Sequence, residues 1–196
     1  MEPTDLIDRR RGDGAEHAAD VDIRPAALGE QDALCGLFAE LDRLHRTARP
    51  DFFRCTDGPA RPPAIIADLI AGPRSAILVA ESAGRLDGLV TVMLQGIAGL
   101  PILVPRRVAL IDNLIVRADR RRQGIGRRLL DRAERWADAQ GAQAVEIVVH
   151  EFNLEARFFY DALGYRTSTR RVHRPLGPAS AGAVAVTSPD GAQSGR

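Results

Sequence analysis

The sequence predicts an α/β (α+β) domain, a mixed β-sheet flanked by helices, in the order βααβββαβαβ. Three observations carry this. The apolar period changes from helical to alternating near residue 75. Two β-type runs then flank the turn "SAGRLDG", which makes an antiparallel hairpin. Further on, a strand, a glycine-bearing turn, a helix and a second strand follow one another. That order requires a right-handed parallel crossover.

Taken in turn, "VDIRPA" is a short strand closed by Pro25. In "LGEQDALCGLFAELDRLHR", Leu34, Leu37, Phe38, Leu41 and Leu44 recur at three- and four-residue steps, the stripe of an amphipathic helix. "TARPDFFRCTDGPARPP" is a proline-punctuated loop. The helix "AIIADLIA" follows and is stopped by Gly72 and Pro73. "SAILVAES" and "LDGLVTVMLQ" form the hairpin, and the loop "GIAGLPILVPRR" leads to the strand "VALIDNLIV". The next helix puts Ile125, Leu129, Ala133 and Trp136 on one face and ends at Gly141. "AVEIVV" is a buried-type strand. "NLEARFFYDALG" is a helix with Asn153 as N-cap and Gly164 as its stop, and "YRTSTRRVHRPL" reads as a final strand.

The folded part spans residues 21–176. A polar tail at 1–20 reads as disordered, and the Gly/Ala/Ser/Pro-rich tail at 177–196 as flexible. With 45% hydrophobic and 27% charged residues, the chain has the profile of a soluble globular protein. A net charge of +1 argues against a dedicated nucleic-acid binder. Cys35 and Cys55 fit neither a disulfide framework nor a metal site and read as free thiols. His45 has no partner at metal-ligand spacing, and His150 ends a buried strand, where packing explains it. With no apolar leader and no run long enough to cross a bilayer, no membrane association is expected and the cytoplasm is the expected location.

The most informative stretch is "RRRQGIGRRLL", residues 120–130. It lies between a strand and a helix. Its glycines therefore sit where unpaired backbone N–H groups and the positive end of the helix dipole collect, a natural phosphate site. A Walker loop needs Gly-Lys-Ser/Thr, and the chain has no lysine. The fingerprint G-x-G-x-x-G needs glycine where Leu129 stands. The pattern that fits is Q/R-x-x-G-x-G/A, through Arg121, Gly124 and Gly126.

With that motif, the preceding "DNLIV" and the later N-x(6)-Y-x(3)-G-[FY] pattern of Asn153, Tyr160, Gly164 and Tyr165, the chain resembles the GNAT superfamily, the GCN5-related N-acetyltransferases. The resemblance covers roughly residues 21–176 and is strongest over 108–165. It implies the GNAT fold, with the fourth and fifth strands parallel and splayed around acetyl-CoA. One departure stands out. Many members have two strands after the last helix, and this chain has room for one. A second copy, in a homodimer, could complete the acceptor wall.

The resemblance also implies roles. Backbone N–H groups of Arg122, Gln123, Gly124, Ile125, Gly126 and Arg127, with Arg121 opening the motif, would hold the CoA pyrophosphate. Arg117, Arg120 and Arg128 are surface charges or reach the 3′-phosphate. The main chain of Leu114, Ile115 and Val116 would bond the pantetheine arm. Asn153 would contact the pantetheine, act as a helix cap, or do both. Seven helical steps bring it and Tyr160 to one side, about 10 Å apart. Tyr160 would donate to the departing thiolate, with Phe158, Phe159 and Leu163 available to fill the core face. By strand alternation Asp112 shares a face with Leu114 and Val116. An aspartate is too acidic, at about 3.9 against about 10.4 for an alkylamine, to act as a direct base. It would orient the amine or a water chain, and its competing reading is a carboxylate paired with an arginine. Glu151 is the alternative base. His45 and "HRTARPDFFR" resemble the segment bordering the acceptor pocket.

The expected activity is acetyl transfer to a primary amine by direct attack in a ternary complex, without a covalent enzyme intermediate or a metal. A second reading is a catalytically weak or inactive acyl-CoA-binding regulatory module of the same fold. The amine itself is not identified.

Overall fold

The computed structural model describes residues 21–97 and 101–174; the two expected tails lie outside the described residues. The elements in order are β1 (Asp22–Pro25), α1 (Gln31–Ala48), α2 (Pro63–Ala71), β2 (Ser75–Ser82), β3 (Arg85–Ile97), β4 (Arg106–Val116), α3 (Ile125–Ala139), β5 (Ala144–Ile147) and α4 (Leu154–Ala162). Short 3-10 turns at Leu28–Glu30 and Ala118–Arg120 precede α1 and α3.

The five strands form one sheet in the order of the chain. β1 to β4 pair antiparallel, and β5 pairs parallel to β4. Only β4–α3–β5 is therefore a crossover, as the sequence predicts. The hairpin turn is Ala83-Gly84, with both φ values positive at 48° and 74°. Two such residues match the twist of the strands they join.

Both faces of the sheet are covered. Leu78, Ala80, Val90, Val92, Ala109 and Ile111 pack with Ile125, Leu129, Leu130, Ala133 and Ala137 of α3. On the other face, Ile77, Val79, Leu89 and Ile115 pack with Leu34, Leu37, Phe38 and Leu41 of α1 and Ile66 of α2. Double coverage is why "AILVA" is apolar throughout rather than alternating. Each fully buried Leu or Ile contributes about 2 kcal/mol of transfer free energy.

Two β-bulges interrupt the register. Ala80 pairs with Gly88 but Glu81 with Leu86, which leaves Asp87 as the extra residue of β3. Thr91 pairs with Asn113 but Val92 with Ile111, which leaves Asp112 as the extra residue of β4.

Two sequence expectations change at the end of the chain. β5 stops at Ile147, and Val148 and Val149 are exposed beyond it. No strand forms in residues 165–174. From Arg166 to Arg174 the one apolar residue is Val172, itself 86% exposed. Without an apolar face a strand has nothing to bury against a sheet edge.

Candidate acetyl-CoA and acceptor site

The loop before α3 is shaped by two left-handed residues, Arg122 (φ 63°) and Gly124 (φ 77°). Glycine takes this conformation without strain. A side chain at 124 would point into open space, with no atom within 4 Å of a Cβ there. No side chain caps α3. Its first intrahelical bond at this end runs from Arg128 N to Gly124 O, 3.1 Å. The N–H groups of Ile125, Gly126 and Arg127 thus lack intrahelical acceptors. Arg122 and Arg127 are exposed and form no ion pair among the described residues. Gln123 Oε1 is buried without a hydrogen-bond partner. An uncapped helix start, an open cradle and two free cations fit a diphosphate.

The other arginines of the cluster have partners within the chain. Arg121 Nε donates to Val116 O (3.0 Å), and its guanidinium lies 3.5 Å from Glu40 of α1, which also accepts from Ala118 N. Arg121 therefore folds the loop back onto β4 and α1. Arg120 Nε lies 3.2 Å from Asp87 Oδ2, an ion pair without hydrogen-bond geometry. Asp87 is fully buried, accepts from Ser82 and Arg85, and its main-chain oxygen accepts from Arg117 N. Arg117 pairs with Asp119, and Arg128 bonds Val21 O. The bulged Asp87 is a staple for the approach to the loop, a role that sequence reading missed. The signal for it was a charged residue inside an apolar strand.

β4 and β5 part beyond Ile111 and Ile147, the last pair between them. From Asp112 to Val116, β4 has β3 on one edge and no strand on the other among the described residues. Leu114 and Val116 pack on the α3 face and Ile115 on the α1 face, so their side chains are core. Their main chain borders the gap.

The bulge corrects the alternation argument for Asp112. Ala109 and Ile111 share the α3 face with Leu114 and Val116. Odd and even positions exchange faces across residue 112. Asp112 is exposed and accepts from Asn113 Nδ2 (2.9 Å). Among the described residues it forms no ion pair, so the expected arginine partner is absent. Asn113 is fastened by Thr91 Oγ1 (3.0 Å) and by Arg61, whose Nη2 donates to Asn113 Oδ1 (2.9 Å). Arg61 also pairs with Asp42 (2.6 Å) and lies over the Phe38 ring. Glu151, the alternative base, is instead engaged by Arg157 (3.0 Å) and Arg170 (3.7 Å).

α4 brings in the remaining residues. Asn153 caps the helix, its Oδ1 accepting from Ala156 N (3.1 Å). The cap lies outside the helical conformation (φ −85°, ψ 72°), which loosens the seven-step argument linking it to Tyr160. Phe159 reaches the start of α3, where a Cβ on Gly126 would sit 3.4 Å from its ring. Phe158 is 70% exposed and fills no core, contrary to expectation, while Phe159, Leu163 and Tyr160 itself pack against the α3 core. Tyr160 is half-buried, and burial pushes its pKa from 10.0 to about 12. Its hydroxyl has no hydrogen-bond partner among the described residues. Tyr165, five residues on, donates to Glu134 instead, which with burial raises its pKa further.

A cluster of rings joins α1, the segment after it and the segment after β5. His45 of α1 stacks on Phe53 at 5.1 Å, and His150 stacks on Phe152 at 5.3 Å. The two imidazoles meet edge to face at 5.3 Å, and Phe52 joins both Phe53 and His150. Burial and the neighbouring His150 hold the His45 pKa below its usual value. Cys35 and Cys55 are free thiols lining a cleft of about 390 Å³ beside Asp42 and Arg61. No group of metal-ligating side chains occurs among the described residues, and none of their helices is long and apolar enough to cross a membrane.

The parallel pair thus parts beside an uncapped, glycine-opened helix start. The model of the acetyltransferase (GNAT) family matches residues 41–165, and the chain belongs to that family. It is similar to the uncharacterized N-acetyltransferase YhfO of Bacillus subtilis, 26% identical over 153 residues that make up 78% of this chain and 95% of the relative. Among solved structures it resembles a mutant of the BH1408 protein from Bacillus halodurans (TM-score 0.75, 27% identity, 79% of this chain and 99% of that one). It shares its fold with an aminoglycoside N-acetyltransferase, AAC(6′)-Iy, solved in complex with CoA (TM-score 0.61, 17% identity, 80% and 95% covered).

Proposed function

We propose that the protein is an acetyl-CoA-dependent N-acetyltransferase acting on a primary amine in a ternary complex. The observation that carries this reading is the α3 start, uncapped and opened by Gly124, beside the unpaired edge of β4. The main-chain N–H groups from Arg122 to Arg127 hold the pyrophosphate, with the Arg122 and Arg127 side chains beside it. The edge of Leu114, Ile115 and Val116 bonds the pantetheine arm, and the Asn153 amide, its oxygen already used by the cap, contacts the same arm through its Nδ2.

Acetyl-CoA supplies an activated acetyl group: the amine nitrogen gains the new C–N bond, the C–S bond breaks, and the thiol leaves with a proton. Tyr160 stays protonated at neutral pH, and its unpartnered hydroxyl donates that proton or a hydrogen bond. Asp112, unpaired and held by Asn113, orients the amine and a water that takes up its proton. The outer edge of β5 has no strand partner among the described residues, which supports a homodimer completing the acceptor wall. No membrane or nucleic-acid partner enters this reading, and a cytoplasmic location suits the cosubstrate.

Isothermal titration with acetyl-CoA, followed by thiol release over an amine panel, tests it. Gly124→Asp is the matching variant. Its side chain meets open space and aspartate tolerates the left-handed backbone, so the fold survives. Its charge opposes the phosphates, and binding should be lost. Absence of acetyl-CoA binding in the wild type overturns the proposal. Binding without product from any amine favours the regulatory-module reading.

A further inference from the structure

We propose that the acceptor is a monoamine on a flat apolar body, its ammonium held by Asp112 and its body lying on the rings of His45, Phe52, Phe53, His150 and Phe152. This rests on the acetyltransferase reading and adds the substrate class to it.

Position comes first. Asp112 is linked through Asn113 to Arg61 and through Arg61 to Asp42. His45 follows Asp42 by three residues on α1, about one helical turn on the same face. The charges of Asp42 and Arg61 both act on its ring. From the other side, His150 and Phe152 lie on the segment that leaves the sheet after Ile147, where β5 parts from β4. The ring cluster therefore borders the same gap as Asp112.

Charge comes second. A polycationic acceptor needs several free carboxylates. Around this gap Asp42 is matched by Arg61, Asp51 by Arg49, and Glu151 by Arg157 and Arg170. Arg46 and Arg54, on the same segment as the rings, form no ion pair among the described residues and add positive charge. Of the carboxylates linked to the rings, Asp112 is left to receive a cation; Asp57, exposed and also without an ion pair among the described residues, shares its segment with Arg46 and Arg54, so the local charge favours a single ammonium. A second ammonium would meet arginines.

Surface comes third. Phe52 is 67% exposed, and Val148 beside the cluster is 64% exposed. These faces gain by covering with a flat apolar group, in the offset or edge geometry the cluster already uses. A polyhydroxylated acceptor would leave its hydroxyls unpaired against them.

The test is thiol release with 2-phenylethylamine, propylamine, spermidine and kanamycin, alongside acetyl-CoA titration. The expected result is a kcat/KM for 2-phenylethylamine at least about tenfold above propylamine, and above both polycations. Phe52→Ala, a substitution outside the core, should lower the phenylethylamine-to-propylamine ratio about tenfold. Spermidine or kanamycin turned over as efficiently as 2-phenylethylamine, or a ratio unchanged in Phe52→Ala, overturns this inference while leaving the acetyltransferase reading standing. Failure to bind acetyl-CoA, or no product from any of the four amines, removes both.

Discussion

Both pairings of β3 with its neighbours carry a bulge, one in β3 and one in β4, and each displaces an aspartate from the strand alternation. Asp87 turns inward, fully buried, where Ser82, Arg85 and Arg120 converge on it. Asp112 turns outward and meets one amide, that of Asn113. The same local defect thus produces a staple on one side of the sheet and a free carboxylate on the other. The difference lies in what reaches the bulge. Arginines from the hairpin and from the Ala118–Arg120 turn neutralise Asp87. At Asp112 the nearby guanidinium, Arg61, is already matched by Asp42 and touches Asn113 instead. An aspartate in a strand is a site candidate only when its counter-charges are elsewhere engaged.

Substitutions can break this contrast. Asp87→Ala leaves Arg120, with 14% of its side chain exposed, beside an empty position. The loss of stability should be about 3 kcal/mol, lowering the melting temperature by roughly 10 °C. A melting curve within a degree of wild type would contradict the staple. Tyr160→Phe should lower kcat by ~10² with acetyl-CoA affinity retained. Unchanged kcat at saturating substrate takes the hydroxyl out of the mechanism. Asp112→Asn sharpens the comparison, because it should do the reverse of Asp87→Ala. Its stability should change by less than about 0.5 kcal/mol, while kcat/KM for the amine falls by ~10-fold or more. Equal activity in that variant would return Asp112 to an ordinary exposed residue.

The smallest effect is a pH dependence. Burial and His150 hold the His45 pKa below its usual value of about 6.5. The folded state then binds fewer protons than the unfolded state as pH falls below that value. The stabilisation is therefore complete above about pH 6.5 and is lost on acidification through it. His45→Phe keeps a ring in the stack and removes the proton site. Its melting temperature should fall less between about pH 7.5 and pH 5.5 than that of the wild type, and parallel curves would exclude His45 as the cause.

Much of the proposed cosubstrate site can be named along the chain because its parts are local. Gly124 and Gly126, the uncapped helix start and the capping Asn153 lie close in sequence to the elements they shape. The acceptor side cannot. Asp112 was placed on a face by alternation, and the bulge moved it. Arg61, Asp42 and Asn113 come from three segments, and nothing in the order of residues joins them. Arg120 read as a surface charge or a 3′-phosphate contact because its partner, Asp87, lies a strand away. The expected final strand failed where propensity had nothing to bury, since Arg166 to Arg174 carries one apolar side chain.

The sequence by itself determined the layer architecture, the single parallel crossover and the position of the glycine loop. These follow from periodicity and from turn residues, which act over a few positions. Only the tertiary structure decided which arginines are staples and which are free, that Asp112 stands without a counter-charge, and that His45, Phe52, Phe53, His150 and Phe152 meet in one cluster. Those outcomes depend on side chains from separate segments competing for the same partners, and that competition begins only when the sheet and its helices have packed.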